Sequence, residues 1–143
     1  MDDFDEQRFA GTWFVVASTF PLWLKGKRHS PRFQYGVLAP GRLSDRVMYR
    51  RDGREQVLDG VDTRLPGATP AFRWRGTGLL RLVKSDWQVT HRDPQYRWAV
   101  IGFTRSLLTP AGVDIIARTP GIPAGIPADV LAQPGLTAIP HAQ

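Results

Sequence analysis

The sequence contains no cysteine, so it can form neither a disulfide bond nor a thiolate metal site. Its histidines, His29, His91 and His141, lie too far apart in the sequence to predict a metal site. No Gly-x-Ser-x-Gly motif and no phosphate-binding glycine loop occurs. No apolar run approaches the ~20 residues that a membrane-spanning helix needs. The sequence therefore predicts no metal, no cofactor and no membrane span, and it contains no established catalytic motif.

Lysine is scarce, with three residues against sixteen arginines, and the formal net charge is +6. The arginines are scattered rather than gathered in a stripe with interleaved aromatic residues, so nucleic-acid binding is not predicted. The one compact basic cluster, Lys25–His29, fits either a solvated loop or a site for an anionic group. The first residues, Met1–Glu6, are acidic and are not followed by the pattern of a secretory signal, so we expect a cytoplasmic location.

Short runs of β-branched and aromatic residues alternate with turn residues, and the 143 residues include 14 Gly and 12 Pro. Asp52-Gly53 is a strong hairpin signal. A succession of hairpins without a helix-length insertion predicts an all-β domain, residues 1–120, folded as an eight-stranded antiparallel up-and-down barrel. A Pro- and Gly-rich extension, residues 121–143, follows it. The predicted strands are residues 11–18, 32–39, 43–51, 54–64, 71–75, 86–92, 96–103 and 113–118.

Three segments resemble the ordered motifs of the lipocalins. Gly11-Thr-Trp13 precedes the apolar run of the first strand, and Asp93–Gly102 carries an Asp before a Tyr-bearing turn and an apolar strand. Asp114–Pro120 ends the last strand with an arginine. The resemblance covers about residues 4 to 120 and is nearest to the bacterial lipocalins of the outer-membrane lipoprotein type. It implies a barrel whose floor is closed by Arg118 packed across Trp13.

The C-terminal segment departs from the family pattern, because the prolines within residues 121–128 prevent the family's long helix. Only residues 128–133 could form a helical turn or two. We therefore expect one outer face of the barrel to be uncovered, with Trp98 on it, and a homodimer could bury that face. The segment Gly78–Val83 fits either an extended strand or an apolar lip at the mouth of the barrel.

Alternation along the strands, together with the resemblance, assigns one face of each strand to the interior. Counting back from Arg118 places Ile116 and Asp114 on that face. The interior predicted in this way is aromatic and apolar, which suits either a hydrophobic ligand or a barrel filled by its own side chains. The predicted ligand-binding residues are Val15, Ala17, Phe33, Tyr35, Val37, Val47, Tyr49, Phe72, Trp74, Trp87, Val89, Ala99, Ile101, Asp114 and Ile116.

Two functions remain open on these residues. The first is binding of a hydrophobic small molecule, such as a fatty acid or isoprenoid, with the Lys25–His29 loop meeting a carboxylate. The second is a cyclase or isomerase of a natural-product pathway that uses the barrel as a mould, for example for a Diels–Alder-type cycloaddition. Asp114 in an apolar cup would have a raised pKa and could act with His91, Tyr35 and Tyr49 as the catalytic set. Alternatively, Asp114 and His91 lie in water at the rim.

Overall fold

The computed structural model describes residues 4–106 and 110–141. Within these residues nine strands form one antiparallel sheet, with three short α-helices and a 3₁₀ helix at Gly78–Leu80 between them. The elements, in chain order, are α1 Glu6–Phe9, β1 Gly11–Ser18, α2 Pro21–Leu24, β2 His29–Ala39, β3 Arg42–Arg51, β4 Arg54–Arg64, β5 Ala71–Gly76, β6 Lys84–Arg92, β7 Trp98–Phe103, β8 Gly112–Ala117, α3 Ala128–Leu131 and β9 Thr137–Ala138.

Each strand from β1 to β8 pairs with its successor, and β8 pairs with β1, which closes the barrel. The predicted eight-stranded antiparallel barrel is confirmed. Asp52 and Gly53 connect β3 to β4 with φ angles of 52° and 75°, the left-handed conformations that a two-residue hairpin requires. β7 begins at Trp98 rather than at residue 96, because Asp93 caps a turn through its carboxylate and the Arg97 backbone N–H.

β1 is shared between partners along its length. Its first half, Gly11–Phe14, pairs with β2, whereas Ala17 and Ser18 pair with β9 from the C-terminal segment. A β-bulge shifts the register between Val15 and Ala17 on the side that faces β8. The bulge changes which residues of β1 face the interior.

The C-terminal segment covers the outer face on which Trp98 lies. Ile126 and Val130 pack there in a second hydrophobic cluster with Val16, Val100, Ile115 and Ala117, and Trp98 is 8% exposed. The expectation of an uncovered face is therefore wrong, since Ile126, just before α3, and Val130, within α3, cover this face in place of a long helix. This removes the reason for predicting a homodimer from Trp98.

The floor of the barrel is built around Trp13. The Arg118 guanidinium lies 3.6 Å from the centroid of the Trp13 ring and donates hydrogen bonds to backbone oxygens, including those of Arg8, Thr12 and Tyr96. The Trp13 indole N–H donates to the Phe9 carbonyl at 2.9 Å, so α1 is anchored beneath the barrel. This end is consequently closed by packed aromatic rings. No helix among the described residues is long and apolar enough to cross a membrane.

Candidate functional site

A cavity of about 330 Å³ occupies the other end of the barrel. Its walls are aromatic and aliphatic side chains from β2 to β7, and its rim is formed by the α2 segment and the residues before β6. The volume lies at the lower end of the range found for sites of small organic ligands. The residues that line it are Phe20, Leu22, Trp23, Arg28, Phe33, Tyr35, Asp45, Val47, Tyr49, Leu58, Trp74, Leu80, Val83, Lys84, Ser85, Trp87, Phe103, Ser106 and Asp114.

The predicted ligand-binding residues fall into three groups. The cavity wall contains Phe33, Tyr35, Val47, Tyr49, Trp74, Trp87 and Asp114. The filled part of the interior, beneath the cavity, contains Val15, Val37, Phe72, Val89, Ala99, Ile101 and Ile116. The outer cluster contains Ala17. The barrel is therefore packed with side chains at one end and hollow at the other. The sequence left open a filled interior and a ligand-holding interior, and each describes one half of the barrel.

Two predicted positions are wrong for the same physical reason. The bulge after Val15 turns Ala17 outward, where it packs in the cluster of Trp98. A second bulge between Val89 and His91 turns His91 to the exterior, where it is exposed and its Nδ1 contacts the Thr90 hydroxyl. A bulge adds a residue to one strand and reverses the alternation beyond it. His91 therefore cannot join Asp114 in a catalytic set.

The barrel interior contains three buried acids, and the sequence analysis missed two of them, Asp45 and Asp62. Asp45, Asp62 and Asp114 are all buried, at 4%, 0% and 1% exposure. They lie on β3, β4 and β8, and each is close enough to the Tyr35 phenol to raise its pKa, after the larger effect of burial. The alternation along β3 that placed Val47 and Tyr49 in the interior would also have placed Asp45 there. Asp62 pairs across the sheet with Leu43 and Trp74, and no motif marks it.

Asp114 is held by one polar partner. Burial raises the pKa of its carboxyl to about 7, and a hydrogen bond from Ser18 lowers it in part. The Ser18 Oγ also accepts a hydrogen bond from the Phe20 N–H at 3.0 Å, which orients the hydroxyl. Among the described residues, the Asp114 Oδ1 has no hydrogen-bond partner. At neutral pH this carboxyl exchanges between its acid and its ionised form inside an apolar chamber.

Asp45 and Asp62 form a coupled pair. A hydrogen bond joins their carboxyl groups, and burial raises the pKa of both, that of Asp62 to about 6. The Trp87 indole N–H donates to the Asp62 Oδ1 at 3.0 Å and favours ionisation of Asp62. The Trp87 contact therefore favours the arrangement in which Asp45 is protonated and donates to an ionised Asp62. Among the described residues, Asp45 Oδ1 and Asp62 Oδ2 have no hydrogen-bond partner.

One glycine gives the wall its shape. A Cβ at Gly60 of β4 would lie 2.0 Å from the Trp74 Nε1, so only glycine lets this indole lie against the strand. Trp74 lines the cavity from β5, directly beside Asp62 of the neighbouring strand β4. Nothing in the sequence pattern distinguishes Gly60 from the glycines of turns.

The rim combines apolar side chains with two cations. Trp23 of α2 is buried against Tyr49, with ring centroids 5.8 Å apart, and the Arg28 guanidinium lies 5.4 Å from the Tyr49 centroid. Lys84 lines the opposite side. The residues of Gly78–Val83 form an apolar lip rather than a strand, since Leu80 and Val83 line the cavity while Leu79 and Leu82 are exposed.

No family model and no curated protein matches this sequence. Solved structures do match its fold. The siderocalin Ex-FABP, described as acting through dual ligand specificities, superposes with a TM-score of 0.75 over 95% of this chain and 96% of its own, at 14% identity. The fold is that of the lipocalins. Two further lipocalins are similar. Apocrustacyanin C2 has a TM-score of 0.66 over 96% and 80% of the two chains at 12% identity. The amine binding protein of Rhodnius prolixus, solved with tryptamine, has a TM-score of 0.62 over 92% and 74% at 14% identity.

The lipocalin fold accounts for the barrel and its cavity but not for the buried carboxyl groups inside the barrel. Among the described residues no group of three His, Asp or Glu side chains is arranged to hold a metal ion. The site is therefore an apolar chamber with buried carboxyl groups, a phenol and a basic rim.

Proposed function

We propose that this protein binds a hydrophobic small molecule in the open half of its barrel. The observation that carries the proposal is the cavity of about 330 Å³ whose wall is dominated by aromatic and aliphatic side chains. Transfer of apolar ligand surface from water to such a wall is favourable by roughly 25 cal/mol per Å², before the costs of association. Two of the similar structures support a barrel that holds small organic molecules. The amine binding protein was solved with tryptamine, and the siderocalin Ex-FABP is described as acting through dual ligand specificities.

The closed floor strengthens the proposal. Arg118, Trp13 and α1 fill the base, so a ligand enters and leaves at the rim of Trp23, Leu80 and Val83. A closed base and an open mouth give the ligand a single route into the cavity. The cytoplasmic location and the bacterial subtype stay predictions from the sequence.

The test uses two neighbouring positions on β4. Leu58 lines the cavity, whereas Val57 points outward and is 45% exposed. Leu58→Trp should fill part of the chamber and weaken binding of a neutral, environment-sensitive apolar dye by about tenfold or more. Val57→Trp adds the same side chain outside and should leave the affinity unchanged. Dye titration followed by fluorescence measures both. Equal affinities for the two variants would place the dye elsewhere and refute the proposal.

Asp114 favours a second candidate function, catalysis of cyclisation or isomerisation in the same chamber. Its carboxyl lines the cavity, has a partnerless Oδ1, and has a pKa raised to about 7 by burial. Such a group can donate a proton to a bound substrate, or accept one, near neutral pH. His91 is outside, so the remaining polar groups are Tyr35, Tyr49 and the acids.

Chromatography of a linear polyene precursor incubated with the protein tests this candidate. Formation of a cyclic isomer of the same mass, lost in Asp114→Asn while dye binding persists, would support acid–base catalysis by Asp114. Turnover retained in that variant would assign the catalysis to the shape of the chamber. Unchanged precursor would contradict the candidate and leave ligand binding as the function.

A further inference from the structure

The acids inside the barrel are the feature that a purely apolar ligand leaves unexplained. Charged residues are almost never fully buried without a partner, because transfer of an ionised carboxylate from water costs several kcal/mol. Here Asp45, Asp62 and Asp114 are buried on three strands around one chamber, and each retains an oxygen without a hydrogen-bond partner. Asp45 and Asp114 both line the cavity.

Neighbouring side chains form hydrogen bonds to some of these carboxyl oxygens. Their positions show which carboxyl groups are stabilised in the ionised form by the protein itself. The Trp87 indole and the hydrogen bond to Asp45 support one negative charge on Asp62. Within the part of the chain that the structure describes, Asp114 has the Ser18 hydroxyl as its hydrogen-bond partner. The cations that line the cavity, Arg28 and Lys84, come from the segment before β2 and from the first residue of β6, at the rim. On the cavity wall, Asp45 and Asp114 therefore present acceptors that a ligand with donors would complete, whereas the Trp74 indole N–H, a donor without a partner among the described residues, lies against Gly60.

We infer that the ligand is a hydrophobic amine whose ammonium group binds the partnerless oxygen of Asp114 while its apolar body packs against the aromatic wall. The inference rests on the proposed function and names its ligand class. A charge-assisted hydrogen bond in a water-poor site is among the strongest single contacts available to a small ligand. Tyr35, Trp74 and Trp87 line the same cavity and supply aromatic surface for the apolar body of the ligand.

An anionic ligand fits this arrangement less well. Arg28 and Lys84 could hold a carboxylate at the rim, but the rest of such a ligand would then bury Asp114 and Asp45 with no donor opposite them. An amine instead satisfies the deep acid and leaves the rim cations in water. In one arrangement an ammonium group lies at Asp114, and in the other a carboxylate lies at the rim. Probes that share one shape and differ only in the charged group can therefore distinguish the two.

The probes are naphthylethylamine, naphthylethanol and naphthylacetate, which share an aromatic body and differ in the polar group. Binding to the wild-type protein and to two variants is measured by calorimetry. Asp114→Asn removes the deep charge. Asp59→Asn is the control, because Asp59 lies on the outer face of β4 with its side chain 51% exposed, paired with Arg46. We expect the amine to bind wild type at least about tenfold more tightly than the alcohol. Asp114→Asn should abolish this preference and leave alcohol binding intact, and Asp59→Asn should retain it.

The pH dependence shows whether the amine meets a buried acid or a carboxylate in water. The groups that face Asp114 are Tyr35, Asp45 and Asp62, with Arg28 and Lys84 at the rim. Because the pKa of Asp114 is about 7, amine affinity should rise by about tenfold between about pH 6 and about pH 8, with proton release on binding at the lower pH. A carboxylate in water is already ionised at both pH values and would give no change. Alcohol affinity should not depend on pH.

Each outcome decides the inference. If the alcohol binds as tightly as the amine, or the acetate binds best, the amine inference is wrong while the proposed function stands. If none of the three binds, the amine inference is wrong, and the dye titration decides the proposed function. If Asp114→Asn does not fold, the wild-type ratio of amine to alcohol and its pH dependence decide the question without the variant. Asp45→Asn then distinguishes Asp114 from the Asp45–Asp62 pair, because loss of the preference in that variant would overturn the assignment to Asp114.

Discussion

Replacement of Asp114 by Asn should change how the stability of the ligand-free protein depends on pH. Burial raises the pKa of this carboxyl from 3.8 to about 7. The folded state therefore binds the proton more tightly than the unfolded chain, and stability falls as pH rises between the two values. The favourable contribution is fully present below about pH 4 and is lost above about pH 7. The difference between a pKa of 3.8 and one of about 7 corresponds to about 4 kcal/mol over the whole range.

Between about pH 5 and about pH 8 the wild-type protein should lose about 3 kcal/mol relative to Asp114→Asn, because the amide has no proton to lose. Asp45 and Asp62 also have raised pKa values, so both proteins become less stable with pH, and their shared loss cancels in the difference. Urea unfolding at both pH values, followed by tryptophan fluorescence, measures the difference.

The exposed variant Asp59→Asn is the matched control and should follow the wild type at both pH values. A difference between wild type and Asp114→Asn that stays constant to within about 0.5 kcal/mol would contradict the reasoning, because it would show that Asp114 titrates as it does in water. It would also remove the basis for treating this carboxyl as an acid near neutrality.

Three further predictions concern the rest of the barrel. Arg118→Met should lower the free energy of unfolding by about 2–4 kcal/mol, since it removes the contact with Trp13 and several charge-assisted hydrogen bonds; urea titration that gives less than about 1 kcal/mol would contradict this. Deletion of residues 121–143 should expose Trp98 and cause association at micromolar concentration in sedimentation experiments; a monomeric product would show that the segment is not a cover. His91→Ala should leave ligand affinity unchanged within about twofold in the dye titration, and a larger loss would return His91 to the site.

The fold could be predicted because its signals are local. Asp52-Gly53 specifies a hairpin by its backbone conformation, and the alternating runs specify strands, so nearly every predicted strand overlaps an observed one closely. The three ordered segments around Trp13, Asp93 and Arg118 lie where the barrel closes, and their spacing reflects that geometry.

The site could be predicted only as far as alternation holds. Parity placed Tyr35, Trp74 and Asp114 on the cavity wall, but it failed beyond each bulge, at Ala17 and at His91. A bulge depends on how two strands match in length and twist, which no short pattern in one strand reveals.

Other parts of the site depend on contacts between distant residues. The position of Trp23 at the rim follows from the path of the α2 segment, and the space for Trp74 follows from Gly60 on the neighbouring strand. Burial of Asp62 goes against the general preference of carboxylates for water, so a sequence argument assigns it to the surface. Residues that depart from local sequence preferences in this way are often found at functional sites.

Native mass spectrometry of the protein purified from its own source tests the central claim, that the hollow half of the barrel encloses a small organic molecule. We expect a fraction of the protein to carry one additional small molecule, released on denaturation, and we expect Leu58→Trp to reduce that fraction. A protein that carries no small molecule from its source, and forms no one-to-one complex when neutral naphthylethanol is added, would contradict the claim and leave the cavity as an unused space in the barrel.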